Sequence, residues 1–326
     1  MTTFTSLIST VAMFAALMIP GFIMGRSKRI ENGAMATVGN ILSDVAMPAL
    51  VFVKLIETDI LSLGIYDIVI AVLLLAILIP TLYFISRAVF KPKNGNREHL
   101  SAIFCSVFSN CGFLGIPLAA ALFPDKPEVT VFVSLANVTS SFFFLTLGMN
   151  LLSEGMAESP DKKKRDPVIS VLSRPVTFAV ILGTVCSLLG VGSKLPQMTL
   201  YFRTLSQLTT PLSMTVLGYE LSKMTLGRLL GDRRVYAVAA IRLVVSPVLT
   251  LVILKCVSLL PGAMVSRELA AAMLLATAVS TAASSSAMAR SHDIEGSLAA
   301  SATLVNTLLC VVTLPLLYLL FELVFA

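Results

Sequence analysis

Charged residues are scarce in this sequence. Asp, Glu, Lys and Arg together make up 13% of its 326 residues, whereas 56% of the residues are hydrophobic. Soluble domains carry about 25% charged residues, so this composition excludes a water-soluble surface. The mean hydropathy of +0.91 is instead typical of a protein embedded in a lipid bilayer. Extended polar stretches are also lacking, which excludes a separate soluble catalytic or nucleic-acid-binding domain.

Metal-binding residues are equally scarce. The two histidines, His99 and His292, lie far apart in the sequence, and neither belongs to an HExxH or CxxC motif. The cysteines have unrelated spacings and fall within apolar stretches, where we expect them to act as small packing residues. They are Cys105, Cys111, Cys186, Cys256 and Cys310. We therefore expect no metal site, no cofactor and no disulfide framework.

Apolar stretches of helical length account for most of the chain. A helix needs about 20 apolar residues to cross the hydrocarbon core of a bilayer, and stretches of this order recur along the whole sequence. The ten predicted segments cover residues 4–25, 34–56, 66–89, 99–122, 129–152, 174–191, 199–221, 234–258, 268–289 and 297–324. The sequence therefore predicts an all-α integral membrane protein with ten transmembrane helices.

The positive charges predict how these helices are oriented. Most of the 24 Lys and Arg residues fall in the first, third, fifth, seventh and ninth connections, for example in the run from Lys162 to Arg165. Cytoplasmic connections are enriched in Lys and Arg. Both termini are therefore predicted to be extracytoplasmic, in a protein of the cytoplasmic membrane. Topology then accounts for the net charge of +6, and no nucleic-acid partner is expected.

A weak internal repeat divides the chain into two halves. Pro48 and Glu57 of the second segment match Pro211 and Glu220 of the seventh with the same spacing. Further matches follow in the same order, namely Pro80 with Pro247 and Asn137 with Asn306. Each half has five segments, an odd number, so the second half enters the membrane from the opposite side, as in the inverted repeats of secondary transporters. The predicted divisions are 1–152 for the first repeat, 153–173 for a short cytoplasmic loop and 174–326 for the second repeat.

The fourth segment is predicted to be interrupted. Asn110 lies near the middle of the bilayer and is followed by Gly112, Gly115 and Pro117, which weaken the helical hydrogen-bond ladder. The freed N–H groups are suited to a substrate carboxylate. A kinked packing helix accounts for the same residues equally well.

The ninth segment is the counterpart of the fourth in the repeat. It contains a run of small hydroxyl residues from Ser280 to Ser286, with neither glycine nor proline. Such residues let helices pack closely and form hydrogen bonds between them, so packing is favoured over ligand binding here. Ser280 and Ser284 are nevertheless candidate substrate-binding residues because of their position in the repeat.

Several motifs match those of a known family in the same order. The chain contains Pro48-Ala-Leu-Val-Phe52 in the second segment, Asn110-Cys-Gly-Phe-Leu-Gly-Ile-Pro117 in the fourth, and Asn306-Thr-Leu near the C-terminus. These stretches resemble the second, fourth and last helices of the auxin efflux carrier family, which includes plant auxin carriers and bacterial malate-permease-like transporters. The resemblance extends over essentially the whole chain.

The resemblance implies a fold in which broken helices four and nine cross at the substrate site. It also implies transport of small organic anions by an elevator-like motion, with Asn110 and Asn137 contacting the carboxylate. Asn306, the repeat counterpart of Asn137, joins these candidates. The chain departs from the family at Ser280, where relatives usually have a proline, and in its shorter central loop.

Two ionisable residues are predicted to lie deep in the bilayer, namely Asp44 in the second segment and Arg242 in the eighth. A charge at the bilayer centre costs about 2.5–3.5 kcal/mol on insertion scales, so such residues usually pair or face water. We expect both at a shared cytoplasmic-facing vestibule, with Asp44 as a proton-coupling candidate and Arg242 attracting the anion. The alternatives are a structural ion pair or an arginine that reaches toward the interface.

The preferred interpretation is a secondary carrier of mono- or dicarboxylates that works by alternating access. The alternative among transporters is a sodium- or proton-coupled carrier of another solute, although the predicted crossing contains no acidic residue. A membrane-embedded enzyme would need a nucleophile with its base, paired aspartates or metal ligands. No such motif is present, so no enzymatic activity is expected. The expected partners are a small carboxylate, the bilayer, a coupling proton or sodium ion, and a second copy of the chain in a homodimer.

Overall fold

The computed structural model describes residues 2–27, 33–58, 64–92, 97–154, 166–223, 231–260 and 265–325. Within these ranges the chain is helical and contains no β-strand. The predicted central loop lies partly outside the described residues, from 155 to 165. In chain order, the helices are α1 (Thr2–Arg26), α2 (Ala34–Glu57), α3 (Ile65–Val89), α4 (Glu98–Val107), α5 (Cys111–Leu122), α6 (Pro127–Ser153), α7 (Pro167–Leu172), α8 (Pro175–Leu188), α9 (Val191–Lys194), α10 (Pro196–Ser206), α11 (Thr209–Lys223), α12 (Arg233–Ser258), α13 (Arg267–Ala278), α14 (Ser285–Arg290) and α15 (Ser297–Val324).

Among the described residues, five helices are long enough and apolar enough to cross a membrane, namely α2, α3, α6, α12 and α15. They coincide with the second, third, fifth, eighth and tenth predicted segments. Shorter apolar helices lie in the first, fourth and sixth segments. The seventh segment is divided between α10 and α11, and the ninth between α13 and α14. The protein is a multi-pass membrane protein in which several predicted crossings are divided into shorter helices.

Large apolar side chains cover the outside of the long helices. Leu73, Ile77 and Phe84 of α3 are exposed, and so are Val312 and Leu316 of α15. An amphipathic helix at the surface of a soluble protein would place polar residues at such positions. This outer surface is therefore matched to lipid hydrocarbon.

The interior is built around α4 and α13. Every residue of α4 from Leu100 to Val107 is buried, and so is every residue of α13 from Leu269 to Ala278. α13 packs against α6 and α15, while α4 packs against α3 and α15. Both of these short helices end inside the molecule, so two interruptions of the helical backbone lie in its most enclosed part.

Three prolines inside apolar helices follow a π-helical turn. The π-helical turns span Leu42–Ala46 in α2, Cys111–Gly115 in α5 and Ile241–Val245 in α12, and the second residue after each turn is Pro48, Pro117 or Pro247. Proline lacks the N–H donor and its ring crowds the carbonyl of the preceding turn. A widened π-helical turn relieves this crowding without ending the helix. Of the four prolines that indicated a repeat, Pro48 and Pro247 therefore mark local widening of α2 and α12, whereas Pro80 and Pro211 do not follow such a turn.

Two helices that are distant in sequence, α1 and α11, pack closely against each other. A Cβ atom at Gly21 would lie 1.9 Å from the backbone oxygen of Thr215, and one at Gly218 would lie 1.9 Å from the backbone oxygen of Met18. Only glycine permits such an approach of two backbones, as in the small-residue interfaces of membrane helices. In a similar pairing, α8 packs along the part of α2 that spans Met47–Glu57.

We expect Gly218→Ala to destabilise the protein by about 1–3 kcal/mol, because the added methyl group forces α1 and α11 apart. The measurement is the midpoint of thermal unfolding of the purified protein in detergent. Gly39→Ala is the control, since a Cβ at Gly39 would have no neighbouring atom within 4 Å. Equal unfolding midpoints for the two variants would contradict the close approach of these helices.

Candidate functional site

Two interrupted helices cross at the centre of the molecule. α4 ends at Val107 and the backbone is extended at Phe108, with φ −99° and ψ 122°, before α5 begins at Cys111. α13 ends at Ala278 and the backbone is again extended at Val279, with φ −77° and ψ 162°, before α14 begins at Ser285. The interruption in the ninth segment thus forms without glycine or proline in the run that follows Val279.

The two extended segments pair with each other. The N–H of Asn110 donates to the carbonyl of Ser280 at 2.7 Å, and the N–H of Ala282 donates to the carbonyl of Phe108 at 3.0 Å. Ser109 and Thr281 face each other in an antiparallel bridge. Backbone groups that leave a helix inside a membrane protein need internal partners, and this crossing supplies them from the other broken helix.

Side chains of the second half hold the crossing in place. The hydroxyl of Thr281 donates to the carbonyl of Cys105 at 2.9 Å, and the Nδ2 of Asn306 donates to the hydroxyl of Thr281 at 2.6 Å. Asn306 and Ser280 are both fully buried. Neither is among the described residues that line the cavity beside the crossing. The geometry gives these two predicted site residues a supporting position.

A cavity of about 310 Å³ lies beside the crossing. Its walls come from both interrupted segments, from α6 and from the start of α8. The described lining residues are Phe108, Ser109, Asn110, Gly112, Phe113, Asn137, Ser140, Ser141, Phe144, Arg174, Ala282, Ala283, Ser284 and Met288. Asn110, Gly112, Asn137 and Ser284, four of the predicted site residues, are brought together here.

Gly112 allows Asn137 to approach the broken helix. A Cβ atom at position 112 would lie 3.2 Å from Oδ1 of Asn137, closer than an ordinary van der Waals contact, so a larger residue would push this amide away. Gly115 instead packs against Cys111 and Val133. It is not among the described cavity-lining residues, and neither is Pro117. The sequence motif thus combines residues that face the cavity with residues that shape the helix behind it.

Arg174 also lines the cavity, although its place at the end of the basic fifth connection indicates only a loop charge. It directly precedes the first turn of α8. Its Nη1 donates to the hydroxyl of Ser141 at 3.4 Å. Among the described lining residues it is the one charged side chain. The signal that would have identified it is its position next to Pro175, at the membrane end of a basic connection.

Asp44 and Arg242 are not among the described residues that line the cavity beside the crossing. Asp44 is exposed on α2 and is not among the described lining residues, whereas Arg242 is only 2% exposed and also lies apart from the lining. The structure describes both side chains, and they form no ion pair with each other. The Nη1 of Arg242 donates to the carbonyl of Val107 at 3.0 Å, and its Nη2 donates to the carbonyl of Thr277. Arg242 thus points at helix ends, a contact that the position of a residue along one helix does not reveal.

Comparisons with known proteins identify the family. The model of the family described as membrane transport protein matches residues 6–318. An uncharacterized transporter from Methanothermobacter thermautotrophicus is 24% identical over 318 residues, which are 94% of this chain and 96% of that protein. The uncharacterized transporter YfdV from Escherichia coli K12 is 20% identical over 191 residues, 57% of this chain and 60% of YfdV. These matches confirm the family resemblance, and the chain belongs to the membrane transport protein family.

Proposed function

We propose that the protein is a secondary carrier of small organic anions, mono- or dicarboxylates, in the cytoplasmic membrane. The observation that carries this proposal is the cavity beside the crossing, where the amides of Asn110 and Asn137 and the guanidinium of Arg174 are brought together. No acidic residue is among its described lining residues. Amide and guanidinium N–H groups donate hydrogen bonds to carboxylates, so this lining favours an anion.

The size and the walls of the cavity favour a small organic acid. Its volume of about 310 Å³ is at the lower end of ligand pockets. Phe108, Phe113 and Phe144 supply apolar surface opposite the polar groups. An acid with a short carbon skeleton satisfies both parts of this lining, whereas a bare inorganic anion would leave the aromatic walls without a partner.

The arrangement of helices supports an alternating-access mechanism of the elevator type. α1 packs on α11, and α8 packs on α2, which is the reciprocal pairing expected of two inverted five-helix repeats with ten spans. In this proposal α1, α2, α8, α10 and α11 form a stationary scaffold, and the bundle that contains the crossing carries the anion past it. The two termini then lie outside the cell, and catalysis forms no part of the activity.

The cavity opens toward the cytoplasm in this proposal. Arg174 follows the basic central connection and Met288 belongs to α14, whose end at Arg290 precedes another predicted cytoplasmic turn. The positive-inside rule assigns both connections to the cytoplasm. The conformation described is therefore the inward-facing state of the carrier.

Asn110→Ala and Asn137→Ala are expected to lower uptake at least about tenfold, since each removes an amide donor from the bound anion. Uptake is measured by counterflow in proteoliposomes, with the acid that gives the largest thermal stabilisation in a panel of mono- and dicarboxylates. Asn150→Ala is the matched control, because Asn150 is an exposed residue of α6, the helix that contains Asn137. Wild-type uptake by both cavity variants would refute the proposed site.

Arg174→Gln is expected to weaken binding of the same acid about tenfold or more, because a charge-assisted hydrogen bond is lost. The measurement is the concentration of acid that gives half of the maximal thermal stabilisation. Arg233→Gln is the control, since Arg233 is an exposed arginine at the start of α12 and is not among the described lining residues. If both variants bind the acid equally well, the guanidinium of Arg174 is not a ligand.

We also propose Asp44 as the proton-coupling group of this carrier. Asp44→Asn cannot take up and release a proton, so its uptake should no longer respond to an imposed pH gradient. Asp125→Asn, in the exposed turn between α5 and α6, should keep the wild-type response. An unchanged response of Asp44→Asn would exclude this coupling role.

A further inference from the structure

The ends of two broken helices meet at one buried arginine. α4 ends at Val107, and α13 ends one residue after Thr277. The guanidinium of Arg242 donates to the carbonyls of both residues, at 3.0 Å to Val107 and with a short contact to Thr277. One side chain therefore binds the C-terminal ends of both half-helices behind the crossing.

The charges at this point balance one another. The C-terminal end of a helix carries about −0.5 of an elementary charge, so two converging ends amount to about −1, opposite to the +1 of the guanidinium. Within the described residues, Arg242 has no carboxylate partner, and its Nε atom is buried without a hydrogen-bond partner. The helix ends are thus the counter-charge of an arginine that is only 2% exposed.

The surroundings hold Arg242 and its acceptors in place. Arg242 lies in the π-helical turn of α12, and one helical turn further on the hydroxyl of Ser246 donates to the carbonyl of Thr277 at 3.4 Å. The hydroxyl of Thr250 donates to that of Thr277 at 3.0 Å. The space left beside Arg242 amounts to about 10 Å³, which is at the limit for a single water molecule. A metal ion with its own ligands does not fit next to the guanidinium.

We propose that Arg242 is a built-in cation, which fills the position where carriers with broken helices bind a coupling cation. In such carriers, unwound carbonyls and the C-terminal ends of half-helices coordinate a sodium ion or a proton. Here the same groups are already neutralised by a covalently attached charge, so the crossing needs no sodium ion at this position. The inference rests on the geometry of the crossing and not on the identity of the transported solute.

A consequence of this proposal is that the cation at the crossing cannot dissociate. A sodium ion that binds and leaves can link solute movement to a sodium gradient, whereas the guanidinium of Arg242 is covalently attached to the chain. The alternative of sodium coupling through the crossing is thereby removed, and any coupling has to use another group. Arg242 acts as a positioning residue, since it touches the backbone of the crossing and not the cavity.

The test is chemical rescue of Arg242→Ala, purified in detergent with choline chloride as the only salt. This variant should unfold at a lower temperature than the wild type, because the two helix ends lose their counter-charge. Guanidinium chloride at low millimolar concentration should raise its unfolding midpoint by about 1–2 °C, because binding to the native state stabilises it. Urea, a neutral molecule of similar shape, should not do so at the same concentration.

Leu243→Ala is the matched control for this rescue. Leu243 neighbours Arg242 in the same π-helical turn and is 1% exposed. Its truncation therefore also leaves a buried space, but no positive charge is lost. Guanidinium should not stabilise this variant. The proposal is overturned if urea and guanidinium act equally on Arg242→Ala, if neither acts, or if guanidinium stabilises Leu243→Ala as well.

A second pair of variants applies if Arg242→Ala does not fold. Arg242→Lys keeps the charge and Arg242→Met removes it at similar length, so the lysine variant should unfold at the higher temperature. A purely packing role for Arg242 predicts the reverse order of unfolding temperatures in this apolar interior, and that order would overturn the proposal.

The wild type should show the same unfolding midpoint in sodium chloride and in choline chloride, and a sodium-specific stabilisation would contradict the proposal. None of these measurements uses a transported solute, so their failure would leave the organic-anion proposal standing.

Discussion

A backbone N–H or C=O group that leaves a helix inside a membrane protein must find a partner within the protein. At the crossing, Asn110 and Ala282 donate to carbonyls of the opposite segment, and Arg242 donates to the two helix ends. Each interruption is therefore satisfied by the other. Because the two interrupted segments supply hydrogen-bond partners to each other, unwound backbone is stable at the centre of the protein. Helix ends and amide groups then contribute the polar surface of the cavity.

The two arginines near the crossing have different electrostatic surroundings. Arg242 is turned toward the carbonyl oxygens of two helix ends and is not among the described cavity-lining residues. Arg174 lies at the cavity wall, and a hydroxyl, that of Ser141, accepts its hydrogen bond. One charge contacts the broken backbone, and the other lies at the cavity wall. A sequence with few charged residues can thus supply both a counter-charge for the helix ends and a cation at the cavity.

The sequence predicted the helical class, the family and part of the lining of the candidate site, because apolar length and motif order are local properties. Asn110 and Gly112 were predicted from the break in their own segment, and Asn137 from the family resemblance. The orientation of Arg242 was missed, since a position along α12 does not reveal which carbonyls its side chain meets. Arg174 was missed because a basic residue next to a loop is usually a topology signal. The supporting position of Asn306 depends on Thr281, its hydrogen-bond partner from another segment, and no spacing rule predicts that contact.

The contact between α1 and α11 bears on the order in which the molecule is assembled. α1 is synthesised first, but the backbone it meets at Thr215 and Gly218 is made only after most of the chain. Until then the glycine-containing face of α1 lacks its partner helix. The Met47–Glu57 part of α2 likewise lacks α8 until that helix is synthesised. The packing of these early helices consequently includes surfaces that are synthesised late. The insertion of the late helices therefore completes the packing of the early ones.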